Sequence, residues 1–256
     1  MVQICHISKI NTLIWIYAFF FFLVALLYSA AGFGGGSMYL AILSQSAFSM
    51  EAVRMSALCC NAIVTANGTW QFHKARWIAW RGVLALLLCS VPPCMYTASW
   101  HLSERAYFIS LACALLVAAG VMLMRHQPTE SLTVQPLRWW MFPLSALIGG
   151  ISGITGIGGG IYLAPFLYLT SWGSPKQIAG ASSVFILVNS LAGLSIQIAS
   201  GGWQLEWEAW PLVPAVLIGG WLGSHWSSAR FTHRIVRWLT IVIIIFAALR
   251  TLWKYL

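Results

Sequence analysis

Two runs of the chain carry the residue types from which a small-anion site is made. Gly32-Phe33-Gly34-Gly35-Gly36 and Gly156-Ile157-Gly158-Gly159-Gly160 repeat one another at an offset of 124 residues (156 minus 32), and each lies inside an apolar stretch. A glycine within a helix costs about 1 kcal/mol relative to alanine, so three in succession cost about 3 kcal/mol. Close packing would need only two small residues. What glycine adds is backbone freedom, including positive φ. An interrupted helix in lipid is tolerated only where its freed N–H and C=O groups are buried in protein or line a cavity. The interruption also makes a new helix N-terminus, with unpaired N–H groups and a partial positive charge, and such ends bind anions. Neutral hydrogen-bond donors follow both runs. Ser37 and Tyr39 come directly after the first and Tyr162 after the second. Ser56 and Asn61 lie in the next apolar segment of one half, Ser182, Ser183 and Asn189 in that of the other, with Ser56 and Ser182 at nearly the glycine offset. The candidate substrate-binding set is therefore Gly34, Gly35, Gly36, Ser37, Tyr39, Ser56 and Asn61, with Gly158, Gly159, Gly160, Tyr162, Ser182, Ser183 and Asn189.

A second reading of the same residues is helix packing. Gly32-x-x-x-Gly36 and Gly156-x-x-x-Gly160 fit the small-xxx-small pattern, as do Gly149/Gly153 and Gly219/Gly223, and buried serines and asparagines also join helices by hydrogen bonds. For the last two glycine pairs packing is the preferred reading. Arg54 and Lys176, near the starts of corresponding segments, read either as interfacial snorkelling cations or as an electrostatic lure for anions.

Other chemistries fit poorly. The glycine runs lack the Lys-Ser/Thr and the strand context of a nucleotide loop. Ser224 and His225 are adjacent, and neighbours on a helix point about 100° apart, a poor nucleophile–base pair. None of the six cysteines forms a C-x-x-C pair, so packing is their simplest role, and no metal or other cofactor is expected. Proton-coupled pumping usually shows intramembrane carboxylates or histidines. There is no aspartate, and Glu51, Glu104, Glu130, Glu206 and Glu208 all fall at loops or segment ends, with only His225 close to a span interior.

These residues need lipid-embedded elements to position them. Hydrophobic residues make up 60% of the chain and charged ones 7%, against roughly 25% charged in soluble domains. So few charges cannot cover a water-facing surface. The net charge of +9 sits in short loops between apolar runs, the topogenic pattern of membrane proteins and not of nucleic-acid binders. Ten apolar segments can be marked: 12–31, 37–48, 52–70, 78–98 and 105–124, then 139–155, 161–170, 177–200, 209–226 and 235–252. The run before Ala31 resembles a signal peptide with a cleavage site, but its small-residue pattern recurs internally at 152–160, which argues against that reading. The halves match element by element, so the expected fold is an all-α polytopic membrane protein of two inverted repeats, each of about five helical elements with a glycine-broken or re-entrant helix. The first repeat spans 1–124, a polar linker expected on the cytoplasmic side 125–138 and the second repeat 139–256. Segments 37–48 and 161–170 are too short for a bilayer of about 30 Å at 1.5 Å per residue.

Loops 71–81 (Lys74, Arg76, Arg81) and 227–237 (Arg230, Arg234, Arg237) are expected on the cytoplasmic side, and loop 201–208, with Glu206 and Glu208 and no cation, on the other. These assignments agree if each long-plus-short pair makes an even number of crossings, which puts both termini outside. An odd number of elements per half then inverts the second half. Tryptophans at segment ends (Trp70, Trp77, Trp80, Trp139, Trp140, Trp203, Trp210, Trp226, Trp238) mark the interfaces.

The duplicated "GFGGGSMYLAIL" and "GIGGGIYLAPFL", each followed by a helix with small polar residues, resemble the TauE/SafE sulfite exporter family. The resemblance runs through essentially the whole chain. It implies a multi-pass transporter of the bacterial cytoplasmic (inner) membrane that moves small sulfur-containing anions such as sulfite, thiosulfate or sulfonates. It places the family motif on Gly32, Gly34, Gly35 and Gly36 and on Gly156, Gly158, Gly159 and Gly160. No proline in the first half matches Pro165, so the halves are expected to contribute unequally. Export or facilitated movement is the expected mode. An anion channel, a carrier of a non-sulfur organic anion, a membrane enzyme and a structural subunit are the competing readings.

Overall fold

The computed structural model describes residues 2–43, 49–100, 134–201 and 210–230, with scattered positions between 112 and 123 and between 232 and 253. All regular structure among the described residues is helical. The helices are α1 (Val2–Ala30), α2 (Gly36–Leu43), α3 (Met50–Lys74), α4 (Trp80–Ala98), α5 (Met141–Thr155), α6 (Gly160–Leu169), α7 (Pro175–Gly201) and α8 (Leu212–Ala229). They fall on the apolar segments in order. The segments expected at 105–124 and 235–252 lie more than half outside the described residues, and their described positions are helical.

The chain is dressed for lipid. Leu88 is 78% exposed while Ser90, two residues on, is fully buried. Leu147, Leu191 and Ile218 face outward, whereas Ser145, Ser182, Asn189 and Ser224 are interior. This reverses the partition of a water-soluble domain. Helices α4 and α7 are each long and apolar enough to cross a membrane by length and composition.

Local signals set the ends. Ser49 caps α3 by accepting the Ala52 N–H at 3.2 Å, and His73 and Lys74 sit in its last turn, where the helix dipole favours cations. α3 then closes with Arg76 in a left-handed conformation, its N–H on His73 O and that of Trp77 on Phe72 O, both at 2.9 Å.

Both short helices fold back. Tyr39 of α2 stacks on Phe21 of α1 with ring centroids 4.5 Å apart. Phe166 of α6 meets Trp140, just before α5, edge-on at 5.3 Å, while Gly159 lies against Ser152. Contacts that close from the break outward in this way define antiparallel hairpins. At 8 and 10 residues, α2 and α6 are far short of a bilayer; they reach only about 12–15 Å.

Helices α3 and α7 lie antiparallel at the centre. Gly193 lies beside Leu58, Asn61 bonds Ser190, and Gly68 lies against Ser183. Around them α1 packs on α8 and α4 on α5. Gly219 and Gly223 approach the backbone of α1 at Phe22 and Leu26, and Gly149 and Gly153 that of α4 at Ser90 and Cys94. At these four glycines a Cβ would strike main-chain atoms, so packing explains them, as their spacing predicts.

Candidate anion site at the two helix breaks

Both glycine runs interrupt the helix. α1 stops at Ala30, where the Gly32 N–H returns to Ser29 O at 3.0 Å and the Phe33 N–H to Tyr28 O at 2.8 Å. This is the Schellman closure, with Gly32 (φ 81°) at the left-handed position. α5 stops at Thr155, with Gly156 (φ 64°) as left-handed cap and its N–H on Ser152 O at 2.8 Å. The chain restarts through Gly35 (φ 91°) into α2 and through Gly159 (φ 74°) into α6. Any side chain at Gly35 or Gly159 meets left-handed strain as well as a neighbour, Tyr39 in one case and Ser152 with Phe185 in the other.

Asn61 joins the breaks. Its Oδ1 accepts the Gly36 N–H at 3.1 Å, at the start of α2, and its Nδ2 donates to Ile157 O at 2.9 Å and to Ser190 Oγ at 3.0 Å. One buried amide on α3 thus caps a helix N-terminus in the first half and ties down a freed carbonyl in the second. A Cβ at Gly34 would fall on Asn61 Oδ1, and one at Gly158 would lie 3.0 Å from Asn61 Nδ2. These two glycines are needed for close approach to that side chain.

The cradles correspond. Gly34 and Gly36 rest on Asn61, and Gly34 also on Thr65. Gly158 and Gly160 rest on Ile186, and Gly158 also on Ser190. Asn61 and Ile186, like Thr65 and Ser190, stand 125 residues apart. Position for position the contact is amide on one side and hydrocarbon on the other. α6 starts without any side-chain cap, whereas the α2 N-terminus is held by Asn61.

The other expected site residues divide. Ser37, Tyr39, Ser56 and Ser182 are buried, and their hydroxyls have no hydrogen-bond partner among the described residues. Ser37 and Tyr39 stand at the first break, and the Ser182 main chain touches Gly160 at the second. Ser56 is on α3, five residues before Asn61. Tyr162, in the first turn of α6, is buried too, its hydroxyl likewise without a hydrogen-bond partner among the described residues. Ser183 is committed elsewhere, donating to Thr65 O at 3.1 Å in the α3–α7 seam. Asn189 is committed too, its Nδ2 bonding Ser90 Oγ at 3.1 Å and Phe185 O at 2.9 Å. Asn61 and Asn189, both expected in the set, therefore differ in their partners. The counterpart of Asn61 is Ile186, and a 125-residue offset applied to α3 would have found it. Thr65, Ile157, Ser152 and Ser190 also stand at the breaks, with no motif in the sequence to mark them.

Arg54 and Lys176 do not snorkel. Both are buried; Arg54 Nη2 donates to Ile154 O at 2.6 Å, and Lys176 Nζ donates to Ser228 O at 3.2 Å and lies 5.3 Å above the Trp77 ring. His225 stacks on Trp221, and Ser224 Oγ bonds back to Gly220 O at 2.7 Å, away from any nucleophile–base geometry.

A profile described as Sulfite exporter TauE/SafE matches residues 17–251. The chain is 34% identical over 238 residues to the probable membrane transporter protein y4hK of Sinorhizobium fredii, covering 91% of this chain and 96% of that one. It is 31% identical over 103 residues to the probable membrane transporter protein YunE of Bacillus subtilis, covering 40% of this chain and 37% of that one. No solved structure matches.

Proposed function

The chain belongs to the sulfite exporter TauE/SafE family of membrane transporters, and from that premise we propose that it is a secondary transporter that exports or equilibrates small sulfur-containing anions. Sulfite, thiosulfate and sulfonates are the candidate cargo, held between the two glycine breaks near the middle of a bacterial inner membrane. The observation that carries the reading is the meeting of both breaks on Asn61, beside buried hydroxyls without a hydrogen-bond partner among the described residues. Buried polar groups without partners are uncommon, and each calls for a reason. A small oxyanion supplies one: it accepts from Ser37, Tyr39 and Ser182, and from the helix-start amides of α2 and α6.

The central pair supports an inverted repeat. α3 and α7 are third elements of their halves and run antiparallel. Their contacts interchange under the 125-residue offset, Leu58 with Gly193 becoming Ser183 with Gly68. The outer packing interchanges as well, α1 on α8 becoming α5 on α4. Two halves related in this way and inserted oppositely are the architecture in which rocking of one repeat against the other gives alternating access to a shared site.

Asn61 is the latch of the closed arrangement. Its Oδ1 occupies the place of an anion oxygen at the α2 N-terminus, so cargo at that end competes with it. The apolar Ile186 leaves the α6 end uncapped and favours asymmetric binding. A monovalent anion leaving a negative cytoplasm gains about 2.3 kcal/mol per 100 mV, so export proceeds without a coupling ion.

The test is a flux screen of the purified protein in proteoliposomes against sulfite, thiosulfate, sulfonates and small carboxylates. Saturable movement of the sulfur anions, driven by membrane voltage, supports the proposal. Preference for carboxylates reassigns the cargo. Single-channel currents, or accumulation that strictly follows an imposed pH gradient, contradict it.

A further inference from the structure

α6 ends in a tight closure. The Trp172 N–H returns to Leu167 O at 3.1 Å and the Ser171 N–H to Tyr168 O at 3.2 Å, with Ser171 left-handed (φ 50°). That conformation is uncommon for a residue with a side chain, and it turns Trp172 into the protein, where it is 1% exposed. The ring edge carrying Nε1 and Cζ2 faces Gly82, 3.7 and 2.8 Å from the position a Cβ would take there. Segment 134–137 passes beside it, the Gln135 N–H on Trp172 O at 2.8 Å. Between that segment and the start of α4 lies a groove of about 530 Å³, walled by Ala79, Gly82, Val134, Leu137 and Trp172. The indole N–H of Trp172 is buried there without a hydrogen-bond partner among the described residues. It can only donate, so what it lacks is an acceptor. Arg81 stands exposed at the rim of the groove, and Arg138 at that of an adjoining cavity of about 360 Å³ that shares Leu137 and Trp172.

We propose that this groove holds the headgroup phosphate of an anionic glycerophospholipid of the inner leaflet. Charge selects the occupant. Arg81 supplies a guanidinium at the groove and Arg138 adds to the field beside it, while the one carboxylate among the described residues, Glu51, stands at the far end of α3. The loop with Lys74, Arg76 and Arg81 is cytoplasmic by charge, and basic pockets on that face suit anionic headgroups. The surface beyond the groove favours a lipid over a free anion. Arg81, Leu84 and Leu88 follow one another at three- and four-residue steps along one face of α4, and both leucines are exposed, at 51% and 78%. An acyl chain lying on that stripe brings its phosphate to Arg81 and to the Trp172 N–H. Because Trp172 follows directly on α6, the bound lipid also fixes the end of the hairpin that carries Gly156 to Gly160. The site requires a chain that lies in a membrane and is independent of which cargo moves.

Native mass spectrometry of the full chain, titrated in detergent with phosphatidylglycerol or phosphatidylcholine, reads retained lipid directly. Phosphatidylglycerol should be held about tenfold or more tightly than phosphatidylcholine, as one charge-assisted contact provides. Trp172→Phe keeps a ring and removes the N–H, and should abolish most of that preference. Arg81→Gln combined with Arg138→Gln should do the same. So should Ala79→Leu, which fills the groove while Trp172 and both arginines stay, and which decides the matter if Trp172→Phe does not fold. Lys74→Gln combined with Arg230→Gln removes two cations of the same end that do not line the groove, and should leave the preference unchanged. Equal retention of the two lipids by the unaltered protein overturns the proposal. A preference that survives in Ala79→Leu or in folded Trp172→Phe, or that falls equally with Lys74→Gln and Arg230→Gln, belongs to diffuse surface charge and also overturns it. If soluble glycerol 3-phosphate displaces phosphatidylglycerol at equal concentration, the groove takes free anions and the lipid assignment fails.

Discussion

Replacing Gly34 with alanine tests the junction of the two breaks. The new methyl falls on Asn61 Oδ1, 2.6 Å from its Cγ and 3.0 Å from Thr65 Cγ2. Backbone strain is not the issue here, because Gly34 is not among the glycines with positive φ. Asn61 has two responses. It holds its place and the segment overpacks, at about 1–3 kcal/mol. Otherwise it swings away and gives up three hydrogen bonds, to Gly36, Ile157 and Ser190. Interhelical hydrogen bonds in membrane proteins average about 0.6 kcal/mol and reach about 1.7, so that route costs about 2–5 kcal/mol. The cheaper route sets the outcome, and Gly34→Ala should destabilise by about 2 kcal/mol. Asn61→Ser removes the obstructing amide and loses the bonds. In that background Gly34→Ala should cost under about 1 kcal/mol, leaving a coupling of about 1 kcal/mol or more between the two sites. Reversible unfolding in mixed micelles measures all four proteins of the cycle. Simple additivity, or a Gly34→Ala protein as stable as the parent, would refute the placement of Asn61 against this glycine.

Gly35→Ala and Gly159→Ala should not be rescued by any partner change, because φ of 91° and 74° penalises every side chain, by about 1–2 kcal/mol each. Sulfite flux should fall in both, as measured in proteoliposomes, while circular dichroism still reports a helical protein. Gly193→Ala should be nearly neutral, since its Cβ meets Leu58 at an ordinary 3.8 Å, whereas Gly68→Ala meets Ser183 Oγ at 2.5 Å and should lower the melting temperature in detergent. Trimming Ser183 to alanine should recover part of that loss. Cysteine placed at Ser99 should react with a membrane-impermeant maleimide added outside cells, and cysteine at Arg76 only after the membrane is opened, if charge has set the sidedness as inferred.

The helices were legible because lipid leaves few alternatives. A long apolar run must be helical, and glycine triplets inside such runs mark where the backbone escapes, so α1 ends and α2 begins within a residue of the expected break, as do α5 and α6. The packing glycines of α5 and α8 were legible from spacing alone. The direction taken after each break was legible only from loop charge, which favours an even number of crossings for each long-plus-short pair. Composition is the same for a helix that continues and one that turns back, and the Phe21–Tyr39 and Trp140–Phe166 contacts are those of a helix that turns back. The site was legible in kind and illegible in detail. Two asparagines in corresponding helices look alike in sequence, yet Asn61 faces the breaks and Asn189 faces Ser90 of α4. The difference is the azimuth of each residue around its helix, which a polar residue in an all-apolar segment does not reveal. Arg54 and Lys176 illustrate the same limit. Hydropathy favours snorkelling outward, while helix C-terminal carbonyls at Ile154 and Ser228 draw both cations inward.

The central claim is that a small anion binds where the two broken hairpins meet. An anomalous difference map of the protein with selenite, a heavier analogue of sulfite, tests it directly. The account predicts a peak within hydrogen-bonding reach of the helix-start amides at Gly35–Ser37 or Gly158–Ile161, with Asn61 displaced from Gly36 where the first of these is occupied. Selenium found only away from both triplets, with Asn61 still bonded to Gly36 and Ile157, would contradict it.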